Sequence, residues 1–205
     1  MKQEDIIGII PEHYTGKKTE AEASVTLHNT EEAIIFYKTV KERLLDVNKW
    51  HEVAGIISAR FYAVDNNGNE VDRKVHKGDY MKIDIPGPGS KEGDGYDWVK
   101  IEELKEASEG DIQSVGFRVR PSENPQGDKK NIAHFYDDSA TSNFIVTREG
   151  TIITASVIDR NLKPNKDTES LTDKLRHSAV GAGAIGIFSK IQWQNLVEGL
   201  VKREK

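Results

Sequence analysis

The sequence contains no cysteine, which removes disulfides, thiolate zinc sites, iron–sulfur clusters and cysteine nucleophiles together. It has no apolar run near the roughly 18 to 20 residues that a membrane-crossing helix needs, so no transmembrane segment is expected. The opening residues MKQEDIIGIIPEHY carry acidic side chains among the first positions and only four clustered aliphatics, a poor fit to a secretory leader. No long stretch of Lys or Arg is present, and 29 basic residues face 34 acidic ones for a net charge of -5. Nothing there tracks a phosphate backbone, so nucleic acid is not an expected partner. The GxSxG elbow, the P-loop, the EF-hand loop and HExxH are also missing. The six histidines, at positions 13, 28, 51, 76, 134 and 177, include no pair at a metal-binding interval. His134 with Asp137 and Asp138 is the nearest approach to a metal set, and a surface turn accounts for the same residues. A soluble cytoplasmic protein without metal or cofactor is the expectation.

What is present points to a sheet. Twenty Ile and fifteen Val stand against nine Leu in 205 residues, and β-branched side chains pack well on a pleated surface while losing rotamer freedom in helices. With six Phe these make about a quarter of the chain, above the roughly 20% below which a highly charged chain stays disordered. A single main domain is expected over residues 22–205, preceded by an N-terminal extension over 1–21 that holds the apolar knot Ile6 to Ile10.

Along the chain, Ala23 to His28 alternates as a strand does. Asn29 or Thr30 then stands as an N-cap before the acidic pair Glu31 and Glu32. Ala33, Phe36, Tyr37, Val40, Leu44 and Val47 recur at three- and four-residue steps, predicting a helix over 31–46 with one buried face. Trp50 and Val53 fit a second short helix stopped at Gly55. Alternating runs follow: Ile57 to Ala63, ending at the hairpin signal Asp65-Asn66-Asn67-Gly68; Met81, Ile83 and Ile85; Tyr96, Trp98 and Val99; Val115, Phe117 and Val119; and a last group from Phe135 through Phe144 and Val146 to Ile153, Ala155 and Val157. Six or seven consecutive strands with short connections imply an antiparallel meander. From about Thr168 to Val201 the period changes to 3.6, predicting a long, mostly buried helix that includes Trp193, Leu196 and Leu200.

Gly181-Ala182-Gly183-Ala184-Ile185-Gly186 matches GxGxxG, but no buried strand precedes it and too little chain follows for a second parallel strand. The three glycines therefore belong inside the helix, where each costs about 1 kcal/mol relative to Ala. Close packing against the sheet explains them, and so does space left for a ligand. Trp50, Phe61, Met81, Trp98, Phe117, Tyr136 and Phe144 come from separate segments and are expected to converge on one interior, as core or as the lining of a cavity together with Gly183 and Gly186. Asp84, Arg60, Arg118, Arg120 and His134 are the candidates for proton transfer, and each sits in the polar register of a strand, where a solvated outer face is expected.

The order of elements, with Val25-Thr26-Leu27-His28-Asn29-Thr30-Glu31-Glu32-Ala33 and then Asp46 to Trp50, resembles the START-like superfamily over about residues 22–202. This helix-grip group includes START lipid-transfer domains, polyketide cyclases and birch-pollen-allergen-type proteins. The extension and the glycine-bearing insertion from Ser90 to Gly95 depart from its pattern. The resemblance implies an α+β fold, a curved antiparallel sheet wrapped around the long C-terminal helix with an elongated apolar cavity between them. It implies binding or transport of a small hydrophobic ligand such as a lipid, an aromatic or a polyketide-like molecule. A cyclase, dehydratase or hydrolase acting on such a ligand, and an interaction module with a filled cavity, stand as alternatives. The register of the strands discriminates: Arg60, Arg118 and His134 facing the helix favour the enzyme, while Phe61, Phe117 and Phe144 facing it favour the other two.

Overall fold

A computed structural model describes residues 5–55, 59–85, 92–127, 131–165 and 181–203, with side chains in the last segment from Lys190 onward. Seven strands form one antiparallel sheet: β1 (Lys17–Thr26), β2 (Arg60–Val64), β3 (Tyr80–Asp84), β4 (Asp97–Glu109), β5 (Ile112–Pro121), β6 (Thr141–Glu149) and β7 (Ile152–Leu162). Strands β2 to β7 follow one another as the expected meander, and β1 joins the far side of β7 to give the order β1-β7-β6-β5-β4-β3-β2. Bulges at Lys17/Thr19 and Ile101/Glu103 supply the local bending that a curved sheet requires.

Between β1 and β2 lie α1 (Thr30–Leu45), a single 3-10 turn (Val47–Lys49) and α2 (Trp50–Val53). Asn29 caps α1, its Oδ1 accepting from the Glu32 N–H at 2.9 Å, and Glu31 and Glu32 place negative charge at the positive end of the helix. At the other end the Trp50 indole N–H donates to the carbonyls of Arg43 and Leu44, each at 3.1 Å. The same side chain thus covers unpaired helix carbonyls and buries its ring.

The C-terminal helix α3 (Gly181–Leu200) packs on β1, β7 and α2. The helical backbone over Gly181 to Gly186 agrees with setting aside the dinucleotide motif. Residues 168–180, which were expected to begin this helix, lie outside the described residues. Gly199 is where α3 touches α2, since a Cβ there would lie 2.2 Å from the Val53 carbonyl oxygen. Arg43 closes the helix by donating to the carbonyls of Leu200 and Lys202 at 3.1 and 2.7 Å.

Several boundaries differ from the sequence expectation. β1 begins at Lys17, six residues earlier than the alternation suggested, because its exposed face alternates Lys, Glu and Thr with the inward Thr19 and Ala21. β4 continues through a charged run to Glu109, paired along its length with β5. Phe135 lies outside the strands, on a segment whose Tyr136 bridges to Pro164. The Asp65–Gly68 turn is present, but it folds the chain onto Glu70 through a single bridge to Val64, and the ladder partner of β2 is β3.

The convex face carries a second layer. Residues 5–16 lie across it as a strap, with Ile7 and Ile9 buried against Ile145 and Ile158. Asp5 pins the turn by accepting from the N–H groups of Ile9 and Ile10. Arg118 donates to the Ile9 carbonyl at 3.0 Å, and the Asn161 side chain receives the N–H groups of Tyr14 and Thr15.

Candidate functional site

The concave face is ordered in rows across the strands. Ala21, Val157, Phe144, Phe117 and Leu104 stand side by side from β1 through β7, β6 and β5 to β4, and Ala23, Ala155, Val146 and Val115 form the next row. These two apolar rows floor the core, and the helices lie over them. The rows beyond them on either side mix apolar residues with buried charged ones.

At one end Arg148 is buried at 3% exposure, and its guanidinium donates to Gln113 at 2.8 Å, Asp111 at 2.9 Å and the Gly150 carbonyl at 2.8 Å. At the other end the row reads Thr19, Asp159, Ser142, Val119 and Ile101. Asp159 is 2% exposed. Its Oδ2 accepts from the Thr19 hydroxyl at 2.5 Å, while among the described residues no donor bonds Oδ1. Burial raises the pKa of this carboxyl, and the nearby donors on Thr19, Ser142 and Trp193 oppose the rise only in part.

Other perturbed groups gather at the same end of the sheet. Burial pushes the Tyr136 hydroxyl up to about 12, with the negative charge of Asp159 contributing. Asp97 is pushed up to about 7 by burial, partly offset by a backbone hydrogen bond from Phe135. Burial drives His134 down to about 3, and its Nδ1 accepts the Tyr136 N–H at 3.0 Å. Carboxylates and a histidine displaced in this way mark a place where desolvation acts on several groups at once.

The expected aromatic convergence is realised in part. Trp50, Phe61, Phe117 and Phe144 meet, joined by Trp193 from α3: ring centroids are 5.0 Å apart for Trp50–Phe61, Trp50–Phe144 and Phe117–Phe144, and 5.2 Å for Phe144–Trp193. Met81 belongs to the same core. These side chains pack on one another, so the centre of the interior is filled by rings rather than lined by them. Trp98 is a correction, because Val99 takes the inner register and side chains alternate along a strand. Trp98 instead packs with Val64, Tyr80 and Ala133 in a separate cluster on the other face. Tyr136 stands apart from the rings, beside Asp159. Gly183 and Gly186 lie on α3 ahead of the residues whose side chains are described.

The candidates for proton transfer divide. Arg60 and Asp84 are exposed and face each other across β2 and β3. Arg118 and Arg120 grip Glu102 on the convex face. His134 is buried rather than solvated. His134, Asp137 and Asp138 form no metal set, since Asp137 turns to the Ser139 N–H, and among the described residues no three metal-ligating side chains cluster. A surface depression of about 850 Å³ between α1, α2 and α3 is lined by Glu42, Asp46, Lys49, Lys74 and Lys202 among others, and ion pairs join Lys49 to Asp46 and Lys74 to Glu42. Asp46 Oδ1 also lacks a donor there, but the other oxygen of that carboxylate is paired with Lys49 at 2.7 Å.

The residues that sequence reasoning missed are Asp159, Ser142, Thr19 and Trp193. Their signal was the register: Ile153, Ala155 and Val157 share a face, and two residues further that face meets an acid.

A curved seven-stranded antiparallel sheet, helices between its first two strands and a C-terminal helix laid across its concave face define a helix-grip fold. No family model and no curated protein matches the sequence. Among solved structures the chain is similar to a hypothetical protein from Helicobacter pylori, with a TM-score of 0.49 and 11% identity over 91% of this chain and 87% of that one. It is similar to truncated norcoclaurine synthase from Thalictrum flavum, with a TM-score of 0.36 and 8% identity over 95% and 100%. It is also similar to Ara h 8.0201, with a TM-score of 0.34 and 17% identity over 88% and 99%. No described helix is long and apolar enough to cross a membrane.

Proposed function

We propose that the protein binds a small, largely apolar molecule on the concave face, at the end where the aromatic floor meets Asp159 and Tyr136. The observation that carries this reading is the unmet Oδ1 of a carboxylate that is 2% exposed. Leaving a buried acceptor unpaired costs about 1–3 kcal/mol, and more for a charged group, so such a group needs an explanation. Arg148, at the opposite end of the same face, is bonded to Gln113, Asp111 and the Gly150 carbonyl, so the fold is able to pair a buried charge. An apolar wall with one convergent polar group is the general form of a small-molecule site. Phe144 and Trp193 supply the wall, and Gly181, Gly183 and Gly186 give the start of α3 little bulk.

Native mass spectrometry of the purified protein tests this reading. The expected result is a discrete added mass on the folded protein that is lost on denaturation, and uptake of an apolar fluorescent probe that the released compound displaces. The second reading, a module whose interior is filled by its own side chains, draws on the direct ring contacts. It predicts the bare chain mass and no probe uptake, and that outcome would replace the binding reading. Proton transfer through Arg118 has no support, because that side chain is held on the convex face.

A further inference from the structure

Asp159 is surrounded by donors. The Thr19 hydroxyl is bonded to it at 2.5 Å, and the Ser142 hydroxyl and Trp193 indole lie close enough to act on its carboxyl. These donors favour the charged form against the burial that opposes it, and an indole N–H can only donate. Yet the described residues bring no cation to bond it. Arg160, next in the chain, directs its guanidinium to the Asp159 carbonyl and to Glu20 on the far side of β1. Arg160 therefore favours the charge only through space, and a buried carboxylate without a directly bonded counter-charge is costly. What the site lacks is one positively charged donor, placed at Oδ1 and carried on an apolar body that fits beside Phe144 and Trp193.

We infer that the ligand is an apolar amine whose ammonium group pairs with Asp159 at the end of the concave face. This rests on the binding reading above and narrows it to one chemical class. The aromatic faces beside the carboxylate are suited to the same charge, because a cation near an indole or phenol ring gains a further attraction.

The test compares three probes of one shape, naphthylethylamine, naphthylethanol and naphthylacetate, titrated calorimetrically into the full chain at neutral pH. The amine is expected to bind at least about tenfold more tightly than the alcohol, in line with the usual worth of a buried charge-assisted hydrogen bond, and the acetate more weakly than both. Asp159→Asn, which keeps the shape and removes the charge, should bring the amine to within about threefold of the alcohol. The comparison among probes in the unaltered protein stands even if that variant folds poorly. Equal affinities for amine and alcohol, or preference for the acetate, would overturn the inference while leaving the binding reading intact. If none of the three binds, the binding reading itself fails and this inference goes with it.

Discussion

The hydroxyl of Thr19 on β1 donates to the carboxylate of Asp159 on β7 at 2.5 Å, across two residues paired directly in the sheet. It ties the outermost strand to the acidic end of the concave face. Thr19→Val keeps the shape and removes the donor, leaving a buried charge with less support. A loss of about 1–3 kcal/mol is expected, read by urea denaturation at neutral pH. No loss would mean that other donors already satisfy Oδ2.

Asp97 and His134 give the stability a pH dependence of opposite signs. Asp97 holds its proton to about pH 7 in the folded chain, against an ordinary value of 3.8. Between those values the folded state binds more protons than the unfolded one, so this group's contribution falls as pH rises and levels off above about pH 7. His134 is neutral in the fold down to about pH 3, against an ordinary 6.5. Its contribution is intact above that ordinary value and is lost as pH falls toward the lower one. Asp97→Asn should therefore gain on the wild type from about pH 4 to pH 8, by a few kcal/mol, since each pH unit between the folded and unfolded values is worth about 1.4 kcal/mol. His134→Asn, which keeps an acceptor for the Tyr136 N–H, should flatten the acid limb. Thermal midpoints across that range check both.

Gly199→Ala reverses the usual helix rule. Removing a glycine from a helix interior ordinarily gains about 1 kcal/mol, but here the new Cβ would lie 2.2 Å from the Val53 carbonyl oxygen and 2.8 Å from the Ala54 Cα. Both obstacles are backbone, so α3 has to move off α2. A net loss of about 1–3 kcal/mol follows from overpacking, measurable by chemical denaturation, and a stabilised variant would show that the crossing yields easily.

The strap of residues 5–16 is held mainly by Ile9, which is 0% exposed beneath it, while Tyr14 on the same segment is 71% exposed. Ile9→Ala should cost about 2–4 kcal/mol, as for a fully buried aliphatic. Tyr14→Ala should stay within about 0.5 kcal/mol. Equal effects would mean that the strap is not a packed layer.

The fold was largely legible because its signals are periodic. The N-cap at Asn29, the switch to a 3.6 period before α3 and the alternating runs of β5, β6 and β7 each state one element locally. The strap and the site were harder because both depend on non-local pairing. Ile6 to Ile10 read as a loose knot until Ile145 and Ile158 on the convex face supplied the other half of the contact. Trp98 and Val99 are both large and adjacent, so the register had to be chosen, and Asp97, in step with Val99, is the residue that an apolar count passes over. Asp159 and Arg148 were hidden in the same way, each a charged residue two steps along from a run of inward-facing apolar ones. Trp50 and Phe144 needed no such choice, since each is the largest side chain in its apolar register.

The chain's three tryptophans offer the most direct measurement. Trp193 lies against Phe144 and beside Asp159, Trp50 is on the aromatic floor 5.0 Å from Phe144, and Trp98 is in the separate cluster with Tyr80. Their indole N–H signals in a nitrogen–proton correlation spectrum therefore report both sides of the sheet during titration with an apolar amine. The account predicts that the Trp193 signal shifts most, Trp50 shifts less and Trp98 stays in place. A titration that moves Trp98 alone, or that leaves Trp193 unmoved at saturation, would contradict it.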